Sequence, residues 1–140
     1  MQVKDLMRTN VVTVFQEETC QRAAELMAEK ETGTVLVTAT NGRLAGIISD
    51  RDIVTQCVAK CIDPAETKVR DLCKYDPITI TANADVGYAI NRMLIGGVHR
   101  LPVVEQENII VGMLSLDDIA ADVQRYVGDF AQIVGEHSKR

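Results

Sequence analysis

Two stretches of the sequence place a serine and an aspartate three positions apart, where an apolar strand gives way to a helix. Residues 46–53 read GIISDRDI, and 66 positions later residues 112–119 read GMLSLDDI. The first turn of such a helix presents unpaired N–H groups and the positive end of the helix dipole, which together favour an anion. An aspartate carboxylate can accept two hydrogen bonds from a vicinal diol. Phosphate and diol together are the outline of a nucleotide, so the pattern indicates a nucleotide site.

The same residues also have a purely structural interpretation. Ser-x-x-Asp is close to a capping box, in which both side chains satisfy amides of their own helix. The pattern is short and common, so one isolated copy favours this structural interpretation. A second copy strengthens the ligand hypothesis only if the rest of the chain repeats as well.

The rest of the chain does repeat, with the same offset and without a gap. Between residues 3–53 and residues 69–119, eleven of 51 aligned pairs are identical, and most other apolar positions stay apolar. An ungapped duplication of this length indicates one supersecondary unit used twice, with the two copies covering each other's apolar faces.

Length and composition exclude several classes of protein. A chain of 140 residues, 46% hydrophobic and 25% charged, is typical of one globular domain or of two half-domains with a shared core. A net charge of −5 and only 4% aromatic residues argue against nucleic acid as the main partner. The sequence contains no long apolar run and no leader pattern, so we expect no membrane association and a cytoplasmic location. Four cysteines at irregular spacing then predict reduced thiols rather than disulfides.

The periodicity of each copy predicts a β-α-β-β-α unit, which makes the fold class α+β. In the first copy, Asn41-Gly42 predicts a β-hairpin, and Gly33 falls where the preceding helix needs a left-handed stop. Proline at position 64 ends the last helix of that copy. We therefore predict a first repeat at residues 1–62, a linker at 63–68, a second repeat at 69–127 and a C-terminal extension at 128–140.

These features resemble the cystathionine β-synthase (CBS) domain pair, also called the Bateman module. Each unit ends in Gly-apolar-apolar-Ser-x-x-Asp-Ile, residues 97–104 read GVHRLPVV, and the likeness extends over nearly the whole chain. The resemblance implies two tandem repeats related by pseudo-twofold symmetry and packed through their sheets. It further implies a stand-alone regulatory, energy-sensing module that binds an adenosine-containing ligand such as AMP, ADP, ATP, NAD or S-adenosylmethionine and transmits this to a partner protein. A disc-like homodimer formed through exposed helix faces is implied as well.

The resemblance also assigns roles to residues that match the family's motifs. In what we call the Asp118 cleft, Ser115 and Asp118 hold the ribose, and His99 and Arg100 contact the phosphate. The remaining candidates frame the adenine or form the mirror-image cleft, called the Asp52 cleft: Gly33, Thr34, Thr13, Val14, Thr79 and Ile80 at the adenine, and Ser49, Arg51 and Asp52 in the second cleft.

The two clefts are not expected to be equivalent. The first repeat has Gly33-Thr34 where the second has His99-Arg100, so the Asp52 cleft lacks an obvious phosphate anchor. We therefore predict that the Asp118 cleft is the better anion site and that the Asp52 cleft is weaker or suited to a less charged adenosyl ligand. A purely electrostatic alternative, in which the two basic residues only neutralise neighbouring aspartates, remains open.

Functions of other classes also remain open. Cys57 and Cys61 lie four positions apart on a predicted helix, which is compatible with zinc binding or redox sensing. The same positions complete an apolar stripe, and this favours buried thiols without a metal. Since no aspartate of the motifs has a histidine partner at a recognisable spacing, we expect no enzymatic activity and no required cofactor. A ligand-free structural dimerisation module is the third alternative.

Overall fold

Six strands and four α-helices make up the described part of the chain. The computed structural model describes residues 1–138, with side chains to residue 135, so the last two residues of the predicted C-terminal extension lie outside it. The elements are β1 (Thr13–Phe15), α1 (Cys20–Lys30), β2 (Thr34–Thr38), β3 (Leu44–Ser49), α2 (Asp50–Ile53), β4 (Lys74–Tyr75), α3 (Val86–Gly96), β5 (Arg100–Val104), β6 (Ile110–Ser115) and α4 (Leu116–Ser138). None of the helices within these residues combines the length and the apolar character needed to cross a membrane.

The first unit is a four-stranded sheet against which α1 and α2 pack. β1 pairs in parallel with β2, β2 pairs antiparallel with β3, and β3 pairs antiparallel with β4. The chain turns between β2 and β3 at Asn41-Gly42, where both residues adopt positive φ, as this dipeptide favours. The β-branched residues of the two central strands place Val37 and Ile48 in a buried core with Met27 of α1.

The second unit repeats this arrangement with shorter flanking strands. β5 and β6 form an antiparallel hairpin. Ile80 forms a parallel bridge with Val103, which corresponds to the pairing of β1 with β2. Arg8 forms an antiparallel bridge with Met113, which corresponds to the pairing of β4 with β3. The order and direction of the strands are therefore the same in both units.

In each unit, one flanking segment comes from the sequence of the other repeat. Val3 donates its N–H to the Ala84 carbonyl at 2.9 Å and is fully buried in the core of the second unit. Val69 donates its N–H to the Glu18 carbonyl at 2.9 Å and is fully buried in the core of the first unit. We call residues 2–8 and 68–74 the exchanged segments. Because of this exchange, each unit completes the core of the other.

The two sheets meet through a third apolar cluster that includes Leu44 and Val104. At its edge Arg43 forms a bridge with Ile109, its own counterpart 66 positions later, so the bridge lies on the pseudo-twofold axis. The Arg43 guanidinium also pairs with Glu107 at 3.1 Å. The units therefore pack through their sheets, as the resemblance implied.

The stop of α1 differs from the prediction. The helix ends at Lys30, and Glu31 adopts the left-handed conformation with φ of 52°, donating its N–H to the Met27 carbonyl. The prediction that Gly33 is the helix stop is therefore wrong. An added Cβ at Gly33 would lie 3.0 Å from Oδ2 of Asp50, which belongs to an exposed side chain.

The last helices of the two units have diverged. α2 has four residues and continues into a wider π turn over Val54–Val58. α4 has 23 residues and continues without interruption past residue 127, so the described part of the predicted extension prolongs α4. The prolonged helix carries exposed apolar side chains, including Val123, Tyr126 and Phe130.

Candidate functional site

Both Ser-x-x-Asp segments form capping boxes. In the first, Asp52 donates its N–H to Ser49 Oγ at 3.2 Å, and Ser49 donates its N–H to Asp52 Oδ2 at 2.9 Å. In the second, the two corresponding distances between Ser115 and Asp118 are both 3.1 Å. Each aspartate thus commits one carboxylate oxygen to its own helix, and the surroundings of the other oxygen distinguish the two copies.

A cleft of about 690 Å³ opens between the two units beside Asp118. Its walls come from the start of β1, the end of α1 and the start of β2 in the first unit, and from β5, β6 and α4 in the second. Its volume falls within the usual range of small-molecule sites. The cleft brings together five of the residues singled out from the sequence: Thr13, Thr34, Arg100, Ser115 and Asp118. Their roles in binding remain predictions.

Arg100 is well placed to contact an anion in this cleft. It is the first residue of β5, and its Nη1 donates to Thr34 Oγ1 at 3.1 Å. Because Thr34 is the counterpart of Arg100 in the first repeat, this contact joins the two units near the pseudo-twofold axis. Among the ion pairs of the described residues, none includes Arg100. The alternative in which Arg100 neutralises Asp117 or Asp118 is therefore not observed.

His99 lies beside the main cleft rather than in it. It lines a smaller adjoining pocket of about 100 Å³ together with Arg100 and Ser115. Its carbonyl accepts a hydrogen bond from the N–H of Leu116 at 2.8 Å, which joins the start of β5 to the start of α4.

Sequence reasoning missed Arg8, whose Nε donates to Asp118 Oδ1 at 2.9 Å. Arg8 belongs to an exchanged segment, and 110 positions separate it from Asp118. Burial by itself raises the pKa of Asp118, but the hydrogen bonds from Ser115 and Arg8 outweigh this effect and lower the pKa below its usual value. The available signal was a basic residue at the same position of both repeats, Arg8 and Lys74.

The Asp52 side has a different set of polar contacts. Lys74 Nζ lies 3.9 Å from Asp52 Oδ1, a looser pairing than that of Arg8 with Asp118. Arg92 occupies the position that corresponds to Leu26, a residue of the Asp118 cleft wall. Its Nη2 donates to the Thr79 carbonyl at 3.4 Å, and its buried Nε has no hydrogen-bond partner within the described residues.

The other predicted residues lie outside the large cleft. Val14 and Ile80 are buried in the cores of the first and second units. Gly33 faces Asp50, and Arg51 is exposed on α2. The side chains of the two core residues are therefore not available to a ligand in the Asp118 cleft.

The geometry described above is that of a duplicated unit, and the family comparison identifies the unit. The model of the CBS domain matches residues 3–58 and again residues 69–125. The chain belongs to the CBS domain family. Its two units are two CBS repeats, and the mixed α/β fold with tandem repeats agrees with the predicted architecture.

Several curated relatives contain the same kind of sequence. A CBS domain-containing protein of Bacillus subtilis is 34% identical over 120 residues, which cover 86% of this chain and 84% of that protein. Hypoxic response protein 1 of Mycobacterium tuberculosis is 32% identical over 117 residues, covering 84% and 81% of the two chains. An uncharacterized protein of Methanopyrus kandleri is 30% identical over 117 residues, covering 84% of this chain, which spans only 60% of that relative's length.

Solved structures of CBS proteins superpose well on this chain. Hypoxic Response Protein I, crystallised with two coordinated zinc ions, has a TM-score of 0.78 at 30% identity and covers 86% of this chain and 98% of its own. CBSX2 in complex with AMP has a TM-score of 0.76 at 26% identity and covers 89% and 97%. A CBS domain pair in complex with 5′-methylthioadenosine and S-adenosyl-L-methionine, at 20% identity and a TM-score of 0.80, supports the fold alone.

The four cysteines differ in burial. Cys57 is fully buried, whereas Cys61 is exposed and lies past the π turn with φ of 56°. Cys20 and Cys73 are buried in the same core as Cys57, and burial raises the pKa of the Cys20 thiol to about 12. Within the described side chains, no three His, Cys, Asp or Glu groups converge as metal ligands.

Proposed function

We propose that this chain is a regulatory CBS module whose Asp118 cleft binds an adenosine-containing ligand. The observation that carries the proposal is the composition of the cleft, where three kinds of group converge. Asp118, oriented by Ser115, is an acceptor for a ribose diol. Arg100 offers a guanidinium to a phosphate. Thr13 and Thr34 supply the small polar wall beside which an adenine fits.

The solved relatives support this class of ligand. CBSX2, 26% identical to this chain, was crystallised with AMP. The cleft volume of about 690 Å³ also suits a mononucleotide better than a metal ion or a polymer.

The position of the cleft between the two CBS repeats supports a regulatory role. Thr34 belongs to the first repeat and Arg100 to the second, so a ligand that contacts both stabilises one relative orientation of the units. A partner that binds that orientation more tightly senses the ligand through thermodynamic linkage. The exposed apolar residues of α4, Val123, Tyr126 and Phe130, offer a surface for such a partner or for a homodimer.

Ligand-dependent thermal unfolding tests the proposal with AMP, ADP, ATP, NAD and S-adenosylmethionine. A ligand at about 100 times its dissociation constant stabilises the folded state by about 2.7 kcal/mol, which raises Tm by several degrees in a domain of this size. Arg100→Ala should weaken AMP binding by about ten- to a hundredfold, because one charge-assisted phosphate contact is lost. The matched control is Arg22→Ala, which removes an exposed guanidinium on α1 that pairs with Glu29 at 3.5 Å.

Three outcomes would contradict the proposal. The first is the absence of a Tm shift with every nucleotide, and the second is a shift with zinc alone. The third is equal weakening of AMP binding by Arg100→Ala and Arg22→Ala. We also expect the ligand to be recovered unchanged after incubation, as judged by chromatography, since the proposed module binds the ligand without catalysis.

A further inference from the structure

The ion pair between Arg8 and Asp118 occupies the place where the proposed function puts the ribose of the ligand. The Arg8 backbone is fixed on β6, because its N–H donates to the Met113 carbonyl at 2.9 Å and its carbonyl accepts from the Met113 N–H at 2.9 Å. The Arg8 side chain, by contrast, is 73% exposed and lines the cleft. The guanidinium can therefore change its partner without any rearrangement of the strands.

Asp118 has little accessible acceptor capacity while Arg8 holds it. Its side chain is only 9% exposed. Oδ2 accepts a hydrogen bond from the Ser115 N–H, and Oδ1 accepts one from Arg8 Nε. A ribose diol needs acceptor sites on this same carboxylate. Each carboxylate oxygen keeps a second lone pair, so it is the low exposure of the Asp118 side chain that makes a ligand compete with Arg8 for it.

The charges that line the cleft decide which ligands can displace Arg8. The cleft is lined by three basic residues, which are Arg8, Lys30 and Arg100. It is also lined by three acidic residues, which are Glu31, Asp117 and Asp118. A phosphate group is an alternative acceptor for a guanidinium, and paired arginine–phosphate hydrogen bonds are among the strong ones. A neutral nucleoside offers no such acceptor, so it leaves the ion pair intact and meets an occupied carboxylate.

We propose that Arg8 is a specificity-determining residue that makes the Asp118 cleft prefer phosphorylated over neutral adenosine ligands. Arg8 holds Asp118 until a phosphate enters the cleft, then transfers its guanidinium to the phosphate and releases Asp118 to the ribose. The inference rests on the proposed function, since it requires that the cleft binds adenosine ligands. On the Asp52 side the corresponding ion pair is weaker, because Lys74 Nζ lies 3.9 Å from Asp52. Lysine also lacks the planar guanidinium with which arginine binds a phosphate through two hydrogen bonds.

Isothermal titration calorimetry of the full chain with adenosine and with AMP tests this exchange. Arg8→Ala should bind adenosine about tenfold more tightly, because Asp118 is released, and AMP about tenfold more weakly, because a phosphate contact is lost. The preference for AMP over adenosine then falls by about a hundredfold. Arg8→Lys should restore part of the preference. The matched control, Arg22→Ala, removes an exposed guanidinium that does not line the cleft and should leave the preference unchanged within about twofold.

A purely structural role for Arg8 would move both affinities in the same direction, and that result, or an unchanged preference, would overturn the inference. A second measurement avoids substitutions. In the ¹⁵N-labelled natural sequence, the Arg8 Nε resonance should shift with saturating AMP and not with saturating adenosine; equal shifts would overturn the inference. Absence of a Tm shift with every ligand of the thermal-unfolding panel would overturn the proposed function itself. A chain that binds another ligand of that panel but neither AMP nor adenosine would overturn only the inference about Arg8.

Discussion

The Asp118 carboxylate caps its own helix and also lines the cleft, so the two interpretations of the Ser-x-x-Asp pattern are compatible. Oδ2 accepts the Ser115 N–H and completes the capping box of α4, whereas Oδ1 faces the cleft and pairs with Arg8. Because the two oxygens face different partners, capping the helix and binding a diol do not exclude each other. The cap orients the carboxylate and holds Oδ1 in a defined position, where the proposed ligand would replace Arg8.

The lowered pKa of Asp118 predicts an acid-sensitive contribution to stability. Since this pKa is lower in the folded than in the unfolded chain, the contribution is fully present above the usual aspartate value of about 4 and is lost as pH falls through the folded-state pKa. Asp118→Asn should therefore destabilise the protein by about 1–2 kcal/mol at about pH 7 and by much less at about pH 3. Urea denaturation at a series of pH values measures the difference.

Asp52→Asn is the matched control for Asp118→Asn. It removes the charge of the corresponding capping residue of α2, where Lys74 lies 3.9 Å away in place of a hydrogen-bonded arginine. A loss of stability by Asp118→Asn that is the same at both pH values would show that the ionised carboxylate contributes nothing.

At the scale of elements, two equivalent glycines hold the exchanged segments against the hairpins. A Cβ at Gly46 in β3 would lie 2.5 Å from the Lys74 carbonyl oxygen, and one at Gly112 in β6 would lie 2.8 Å from the Arg8 carbonyl oxygen. Strand pairing at these positions brings backbone against backbone, so a side chain cannot be accommodated without separating the strands. Gly112 thereby sets the position of Arg8 beside the cleft.

Alanine at either glycine should destabilise the fold. Gly46→Ala and Gly112→Ala are each expected to lower the free energy of unfolding by about 1–3 kcal/mol, because the added methyl group overpacks the contact. Gly128→Ala is the control: it lies within α4 with nothing within 4 Å of the added Cβ, and should stabilise the helix by up to about 1 kcal/mol. The midpoints of urea unfolding measure both the expected loss of stability at Gly46 and Gly112 and the expected gain at Gly128. A neutral Gly112→Ala would contradict the close approach of the exchanged segment.

The elements that the sequence predicts well are those whose signals are local. Asn41-Gly42 forms a turn because of the backbone preferences of these two residues. In the two Ser-x-x-Asp boxes, the residues of the motif themselves cap the helix. The pair of Arg8 with Asp118 was missed because its partners are 110 positions apart and meet only through the exchange of segments. Long-range placement of this kind leaves no periodic trace in the sequence. The left-handed stop of α1 was predicted at Gly33 because glycine usually takes this conformation, whereas the structure has it two residues earlier at Glu31, with φ of 52°.

At the scale of the whole molecule, the exchanged segments make each CBS repeat depend on the other. Residues 2–8 complete the core of the second repeat, and residues 68–74 complete the core of the first. The boundary drawn at residue 62 from the duplication therefore divides the sequence into repeats but does not divide the hydrophobic cores in the same way.

Each exchanged valine should stabilise the repeat in which it is buried. Val3→Ala is expected to cost about 2 kcal/mol and to increase hydrogen exchange mainly in β5 and β6. Val69→Ala should cost a similar amount and act mainly on β2 and β3. The two variants are each other's control, and hydrogen exchange followed by mass spectrometry or NMR measures the difference. Loss of protection in the same strands for both variants would contradict the exchange.

The bridge between Arg43 and Ile109 has an evolutionary consequence. In a protein made of two identical halves, the residue at this position would pair with the same residue of the other half across the pseudo-twofold axis. Two copies of the present first half would set arginine against arginine with no Glu107 nearby, and two copies of the second half would leave Glu107 without its cation. The two halves are thus complementary at this bridge, and a duplicate of either half would lose the Arg43–Glu107 ion pair.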